Sequence, residues 1–582
     1  MLQGRTYAVS FLRGTLSSMT KSISDSILER IKPSLTKHEG CDIIDVNPGP
    51  GIWSSKLHDI LKPRTHILME PDTDLYQPLL QPLLDAKNSK YVLVPKPGVI
   101  WAHLEKVLST DSLPLQQPLP PKDPRLDKPN NTLLFVANLA YNPKRTFKAF
   151  PNLTTLVLHQ LMTAVRSHAL VHQYGSVRML IWLTDEERLT PLPRHAAVRK
   201  KASIEAELSC GQIYELASST RPRGAFRRED ALEIDSAERV LQKMKEAGVK
   251  IPKGRESEMQ LHIENAAIDD TLYIRESDDR KGKRYYRELA DLEERYAAGE
   301  FERYSNVLRP PQTKASKKPY AKYEFTPEYD RLIKLRYRAT NRVNKTNVIA
   351  EFISRNDEIM DMQKELWGGS GPEHEARCEE VMRIMQEFKD DIENIPGEET
   401  RVNVLTYLDN QRLLKQEAPV LLYDRREFEP LKVHPRDFFP RTELALLDFH
   451  PKELWPVLRE DFPASYDIFE YIISILVSLP GQSVLTGMKA LWPGAIEFIL
   501  PECPSLRNPF KGGDMDLGRL TCRCLTQEML REIMEAWMRW PWRPSRMELL
   551  GRHTSYSGSE LGIPGEGGMG GDGEAGGGGS VF

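Results

Sequence analysis

The chain has no excess of charge of either sign. Eighty Lys and Arg stand against 83 Asp and Glu over 582 residues, a formal net of −3. Any nucleic-acid surface must therefore be a local patch rather than a property of the whole chain. It also has no apolar run of the roughly 20 residues needed to span a bilayer, so no membrane partner is expected. Its six cysteines (Cys41, Cys210, Cys378, Cys503, Cys522 and Cys524) are too few and too scattered for a disulfide framework, which favours a reducing compartment. Cys522 and Cys524 with the distant Cys503 lack a fourth ligand at a usual zinc spacing, so no metal is expected. Acids are missing from the start of the chain until Asp25. Residues 1–20 carry Arg5, Arg13 and several Ser and Thr, the composition of a mitochondrial presequence; an ordinary first helix is the other reading.

What is present begins at residues 41–72. The apolar run ending at Val46 reads as a buried strand, stopped by Asn47-Pro48-Gly49. Gly49 and Gly51 allow a tight turn, and a helix is predicted over Ser54–Leu61. A second strand, His66–Met69, ends in Glu70. Strand, glycine turn, helix, strand and acid within about 30 residues is the layout of a nucleoside-binding α/β unit. The glycines let backbone approach a ligand at the helix N-terminus, and the acid can accept hydrogen bonds from ribose hydroxyls. A plain strand-to-helix turn has the same Gly-Pro-Gly.

Asp45-Val46-Asn47-Pro48-Gly49-Pro50-Gly51 and Met69-Glu70-Pro71-Asp72 resemble two motifs of the rRNA adenine dimethyltransferase family, which includes the mitochondrial transcription factor B proteins. The first glycine of the motif is Asn47 here. The resemblance implies a methyltransferase-type, Rossmann-like α/β doubly wound sheet, with S-adenosyl-L-methionine as cofactor and Asp45, Asn47, Gly49, Gly51, Glu70 and Asn138 around it.

Further along, Ile23, Ile27, Leu28 and Ile31 have helical spacing, and Tyr91–Val94 is a third strand. There the family strand ends in Gly-Asp, whose carboxylate holds the donor's adenine; this chain has Val94-Pro95-Lys96-Pro97-Gly98, and a lysine cannot accept that hydrogen bond. Residues 113–131 form a proline-rich loop. Thr132–Tyr141 is a strand ending at Asn138 with an aromatic three residues later. It resembles the family's Asn-Leu-Pro-Tyr, in which the Asn and a backbone carbonyl grip the target adenine and the aromatic stacks on it. Asn138 and Tyr141 are thus the target-base residues by resemblance, with Ala140 in place of the stiffening proline. A strand end with a packing tyrosine is the plainer reading. Leu153–Val171 is predicted as a helix and Val177–Leu183 as a strand.

From 221 to 419 the chain is charged and mostly helical in pattern, read as an insertion that is partly extended or disordered; Asp235–Ala247 and Arg280–Ala298 are its clearest helices. Within it, Arg309–Lys345 holds eleven Lys and Arg against three acids, interleaved with Tyr and Phe. Cations can neutralise phosphates while rings stack on unpaired bases, making Lys314, Lys317, Lys318, Lys322, Arg336 and Arg338 nucleic-acid candidates; a solvated helix is the alternative. The family pattern returns at Arg425–Leu431 and Phe438–Pro451. Helices over Phe469–Leu479, Ser483–Leu491 and Leu525–Trp537 build a C-terminal domain, ending in Trp537, Trp540 and Trp542; the last two are also nucleic-acid candidates. The expected division is 1–20 presequence, 21–220 with 420–455 the α/β domain, 221–419 the insertion, 456–545 a helical domain and 555–582 a disordered glycine-rich tail. Two functions compete. One is a mitochondrial transcription factor in the matrix, partnered by the mitochondrial RNA polymerase and melted promoter DNA. The other is a methyltransferase acting on small-subunit rRNA.

Overall fold

Runs of apolar residues too short for buried helices become the strands of one sheet. The computed structural model describes residues 23–120, 122–140, 150–219, 228–269, 280–309, 320–438, 444–479 and 481–549. Helix α1 (residues 23–35) buries Ile23, Ile27, Leu28, Ile31 and Leu35 along one stripe. Strand β1 (Asp42–Val46) is buried at every position, as a central parallel strand must be. Then follow α2 (Ile52–Leu61), β2 (Thr65–Met69), α3 (Thr73–Leu84), β3 (Tyr91–Val94), α4 (Trp101–Val107) and β4 (Pro129–Asn138). Next come α5 (Leu153–Ser167), started by an Asn152–Thr155 capping box, β5 (Ser176–Thr184), α6 (Lys201–Ser209) and β6 (Cys210–Ser218).

Helix α3 carries Pro78 and Pro82 inside its length. Four residues apart and exposed, the two prolines lie on one solvent-facing side, where water replaces the hydrogen bonds they cannot donate.

The region read as partly extended or disordered is ordered over most of its length. It holds α7 (Asp230–Glu246), α8 (Glu258–Asp269), α9 (Arg280–Ala297), an unforeseen hairpin of β7 (Tyr304–Arg309) and β8 (Tyr320–Phe325), then α10 (Pro327–Leu366), α11 (Pro372–Glu393) and α12 (Glu398–Leu414). High charge does not keep this region from packing. Instead the charges pair: Arg228 chelates Asp424 beneath α7, and Arg412, on α12, reaches Asp514.

The chain returns to the sheet with β9 (Leu431–Lys432) and β10 (Leu444–Pro451). The strand order is β3-β2-β1-β4-β5-β10-β6-β9, with β1 to β5 parallel and β10 antiparallel to both β5 and β6. This is a methyltransferase-type α/β fold. The insertion enters between β6 and β10, which lie side by side. Helices α13 (Pro456–Arg459), α14 (Ala464–Leu476), α15 (Val484–Leu491), α16 (Ala495–Ile499) and α17 (Gln527–Arg539) close a helical core. No helix among the described residues is long and apolar enough to cross a membrane.

Candidate functional site

In this sheet order the direction of winding reverses between β1 and β4, and ligands of open α/β sheets bind outside the carboxyl ends of the strands at such a point. Asn47 follows β1 and Asn138 ends β4. Asn47, in place of the motif's first glycine, fits the turn. It adopts a left-handed conformation (φ 55°), which Asn tolerates better than most residues, and its Nδ2 donates to the Asn138 carbonyl at 3.0 Å. Gly51, at φ 73°, is the N-cap of α2; a Cβ there would stand 2.9 Å from a Leu80 methyl.

A cleft of about 780 Å³, open mouth included, lies beside this crossing. Asp45, Asn47, Pro48, Pro50, Ser54 and Asn138 line it together with Trp53, Trp182 and Phe438. Trp53 meets Trp182 edge-on at 5.9 Å, and Trp182 meets Phe438 edge-on at 5.5 Å. The Trp53 indole N–H is buried and has no hydrogen-bond partner among the described residues. Asp45 accepts the Ser54 hydroxyl at 2.5 Å. The Asn138 Oδ1 accepts the Ala140 amide at 3.2 Å, which holds the turn that a proline would otherwise stiffen. Sequence reasoning missed all three aromatic walls; Trp53, two residues past Gly51, was the one legible signal.

Glu70 is elsewhere. Its Oε2 accepts the Gly49 amide at 2.8 Å and its Oε1 the Asp72 amide at 2.9 Å. The residue is 3% exposed and does not line the cleft, so the expected ribose acceptor is turned onto its own backbone. Burial raises its pKa, partly opposed by those two amides. The loop after β3 lies close over the strand ends: a Cβ on Gly98 would meet Val46 at 2.7 Å and the Met69 sulfur at 3.1 Å. Lys96 is exposed. The donor set expected of a methyl-donor site is thus incomplete: the ribose acid is engaged, the adenine acid is a lysine, and backbone closes over the strand ends. Two of the groups expected to hold S-adenosyl-L-methionine differ from the expectation, Glu70 by the two backbone amides it accepts and position 96 by its lysine. Among the described residues no three His, Cys, Asp or Glu side chains converge as metal ligands.

Tyr141 lies outside the described residues, as do Lys314, Lys317 and Lys318 and the side chain of Lys322. Arg336 is not free for phosphate, since it holds both Glu293 oxygens at 2.6 Å. Arg338 is exposed, its guanidinium 4.9 Å from the Tyr285 ring centre. Trp540 is not available to nucleic acid: at 3% exposure it packs edge-on against buried Trp537 at 5.6 Å and is part of the helical core, whereas Trp542 is 77% exposed. Their alternation follows from α17 ending at Arg539, after which the chain turns Trp540 inward and Trp542 outward.

Residues 18–210, about a third of the chain, match the family model of ribosomal RNA adenine dimethylase. That span runs from just before α1 through α6 and contains the cleft's residues from β1, α2, β4 and β5, but not Phe438. Among solved structures, a dimethyladenosine transferase from Plasmodium falciparum aligns with 47% of this chain and 87% of its own, at 13% identity and a TM-score of 0.22. No curated protein matches the chain.

Proposed function

We propose that this protein is a mitochondrial transcription factor on an rRNA adenine dimethylase-like fold, which gives the mitochondrial RNA polymerase promoter specificity by holding an unpaired strand of melted promoter DNA. The observation that carries the reading is the contrast between the two halves of the site. Glu70 is sealed by the Gly49 and Asp72 amides, while the cleft beside Asn138 stays open and aromatic. A buried acceptor lost to a ligand costs about 1–3 kcal/mol, so two such losses would put donor binding about 1.5 to 4 decades below an intact site. An extruded base needs neither acid. It needs apolar walls, which Trp53 and Trp182 supply, and contacts of this kind are worth about 1–3 kcal/mol per base. Localisation to the matrix is part of the same proposal and rests on the acid-free, arginine-bearing residues 1–20.

The competing reading, S-adenosyl-L-methionine-dependent dimethylation of small-subunit rRNA, is favoured by the family match over 18–210 and by Asn138 at the end of β4. The deciding experiment is run-off transcription with the cognate polymerase on linear duplex templates and on templates pre-melted at the start site. Trp53→Ala and Tyr141→Ala should lower initiation on duplex far more than on pre-melted templates, and calorimetry should show weak donor binding. Tight donor binding with rRNA methylation abolished by Asn138→Ala would replace this reading with the enzyme. Deleting residues 1–20 should leave folding intact and the protein in the cytosol, read by fractionation; import of the truncated chain would remove the presequence from the proposal.

A further inference from the structure

The end of β4 is where a strand that grips a base by its amine would offer acceptors, and here each of them already has a donor. The Asn138 carbonyl takes the Asn47 side-chain amide at 3.0 Å, and the Asn138 Oδ1 takes the Ala140 N–H at 3.2 Å. The Leu139 carbonyl takes the hydroxyl of Thr154, a buried residue of α5, at 2.9 Å. Backbone partners fix both amide orientations. A carbonyl only accepts and a peptide N–H only donates, so Asn47 must turn its Nδ2, and Asn138 its Oδ1, into the turn. What each amide has left is thereby settled. Asn138 keeps a donor, its Nδ2, and Asn47 keeps an acceptor, its Oδ1; neither atom meets a partner among the described residues. Both residues line the cleft. The Asp45 carboxylate, 2% exposed, already takes the Ser54 hydroxyl at 2.5 Å.

An exocyclic amine carries two N–H groups, and a buried N–H without an acceptor is rarer than a carbonyl with a lone pair unused. Adenine, cytosine and guanine all carry such an amine. With Asn47 Oδ1 as the one acceptor left by the two asparagines, each of these bases leaves an N–H unmet, whichever way its edge points. Thymine has no amine and presents a carbonyl beside a ring N–H, the complement of a donor beside an acceptor. We infer that the cleft selects thymine in the opened DNA strand, with its carbonyl on Asn138 Nδ2 and its ring N–H on Asn47 Oδ1. The inference rests on the reading of the cleft as the holder of an unpaired base, and it reverses the amine grip that the family resemblance implies. Asn47 and Thr154 are the residues that bring about the reversal, by occupying the two carbonyls.

The test is binding of the full-length protein to a DNA duplex carrying one unpaired base opposite an abasic site, with the fully paired duplex as reference. Uracil against cytosine and hypoxanthine against adenine each exchange an amine for a carbonyl at nearly constant shape. The carbonyl base should bind more tightly in both pairs, by roughly 2- to 12-fold, the worth of one hydrogen bond. This comparison uses the wild-type protein and so does not depend on any variant folding. Asn138→Asp keeps an acceptor for the Ala140 amide but has no N–H to offer, and should erase the ratio within each pair. Thr154→Val should free the Leu139 carbonyl and narrow that ratio. Equal affinities, or tighter binding of the amine bases, overturn the selection of thymine; if Trp53→Ala still weakens binding, the base-holding role of the cleft survives. Affinity equal to that of the paired duplex and unchanged in Trp53→Ala overturns both.

Discussion

At the scale of single residues, the turn after β1 shows how conformation and packing act together. Gly51 is left-handed and touches Leu80, whereas Gly248 is left-handed (φ 69°) with nothing within 4 Å of a Cβ. Gly248→Ala should therefore cost only backbone strain, about 1–2 kcal/mol. Gly51→Ala adds overpacking against Leu80, a further 1–3 kcal/mol or so, and should tilt α2 away from the cleft. Denaturant unfolding followed by the fluorescence of Trp53 and Trp182 measures both, and equal losses would mean that the Leu80 contact yields freely. Asn47 shows the converse. A residue that breaks the glycine motif fits the turn because a short amide can reach the Asn138 carbonyl.

At the scale of elements, buried ion pairs decide whether the insertion is part of the body. Arg228 and Asp424 are both wholly buried, with Ser236 also donating to Asp424. Asp424→Ala would leave the buried Arg228 guanidinium only the longer contact to Glu233 at 3.7 Å, a loss toward the lower end of the range of about 3–5 kcal/mol for a buried pair broken on one side. Limited proteolysis should then cut near α7 before the sheet unfolds, and protection equal to wild type would show that α7 is held by its apolar face alone. Arg199 plays the corresponding part for the C-terminal domain. It pairs with Glu207 at the end of α6 and donates to the carbonyls of Arg523 and Leu525 just before α17.

For the whole molecule, two further buried clusters, Glu215 with Arg188 and Arg194, and Asp448 with Arg178, set the response to acid. Burial alone would raise the Glu215 carboxyl, but Arg188 and Arg194 overcome this and hold it at about 2. Burial opposes Arg178 in the same way at Asp448, whose pKa also ends well below the carboxylate range. A depressed carboxylate contributes stability that is present above its unfolded value, 4.5 for Glu215, and that is lost as pH falls toward 2. The melting temperature should accordingly fall steeply between about pH 4.5 and 2. Glu215→Gln should lower it at pH 7 and flatten that acid limb, and an unchanged limb would mean that other groups govern acid unfolding.

The strands and the glycine turn were legible in the sequence because they depend on local properties: apolar runs of strand length, turn residues at their ends, and an acid after β2. The ordered helices Asp230–Glu246 and Arg280–Ala297 were legible for the same reason, through charge at helical spacing. Tertiary structure alone decided the rest. Whether Glu70 faces a ligand or the Gly49 amide and whether Arg336 is available or bound to Glu293 depend on partners 21 and 43 residues away along the chain, and whether Trp540 faces solvent depends on the helical core that α14 to α17 close around it. Composition and spacing specify which groups are present and which local shapes they favour. Which of them remain free to act is set by what each side chain meets when distant elements pack, and a linear pattern does not record that.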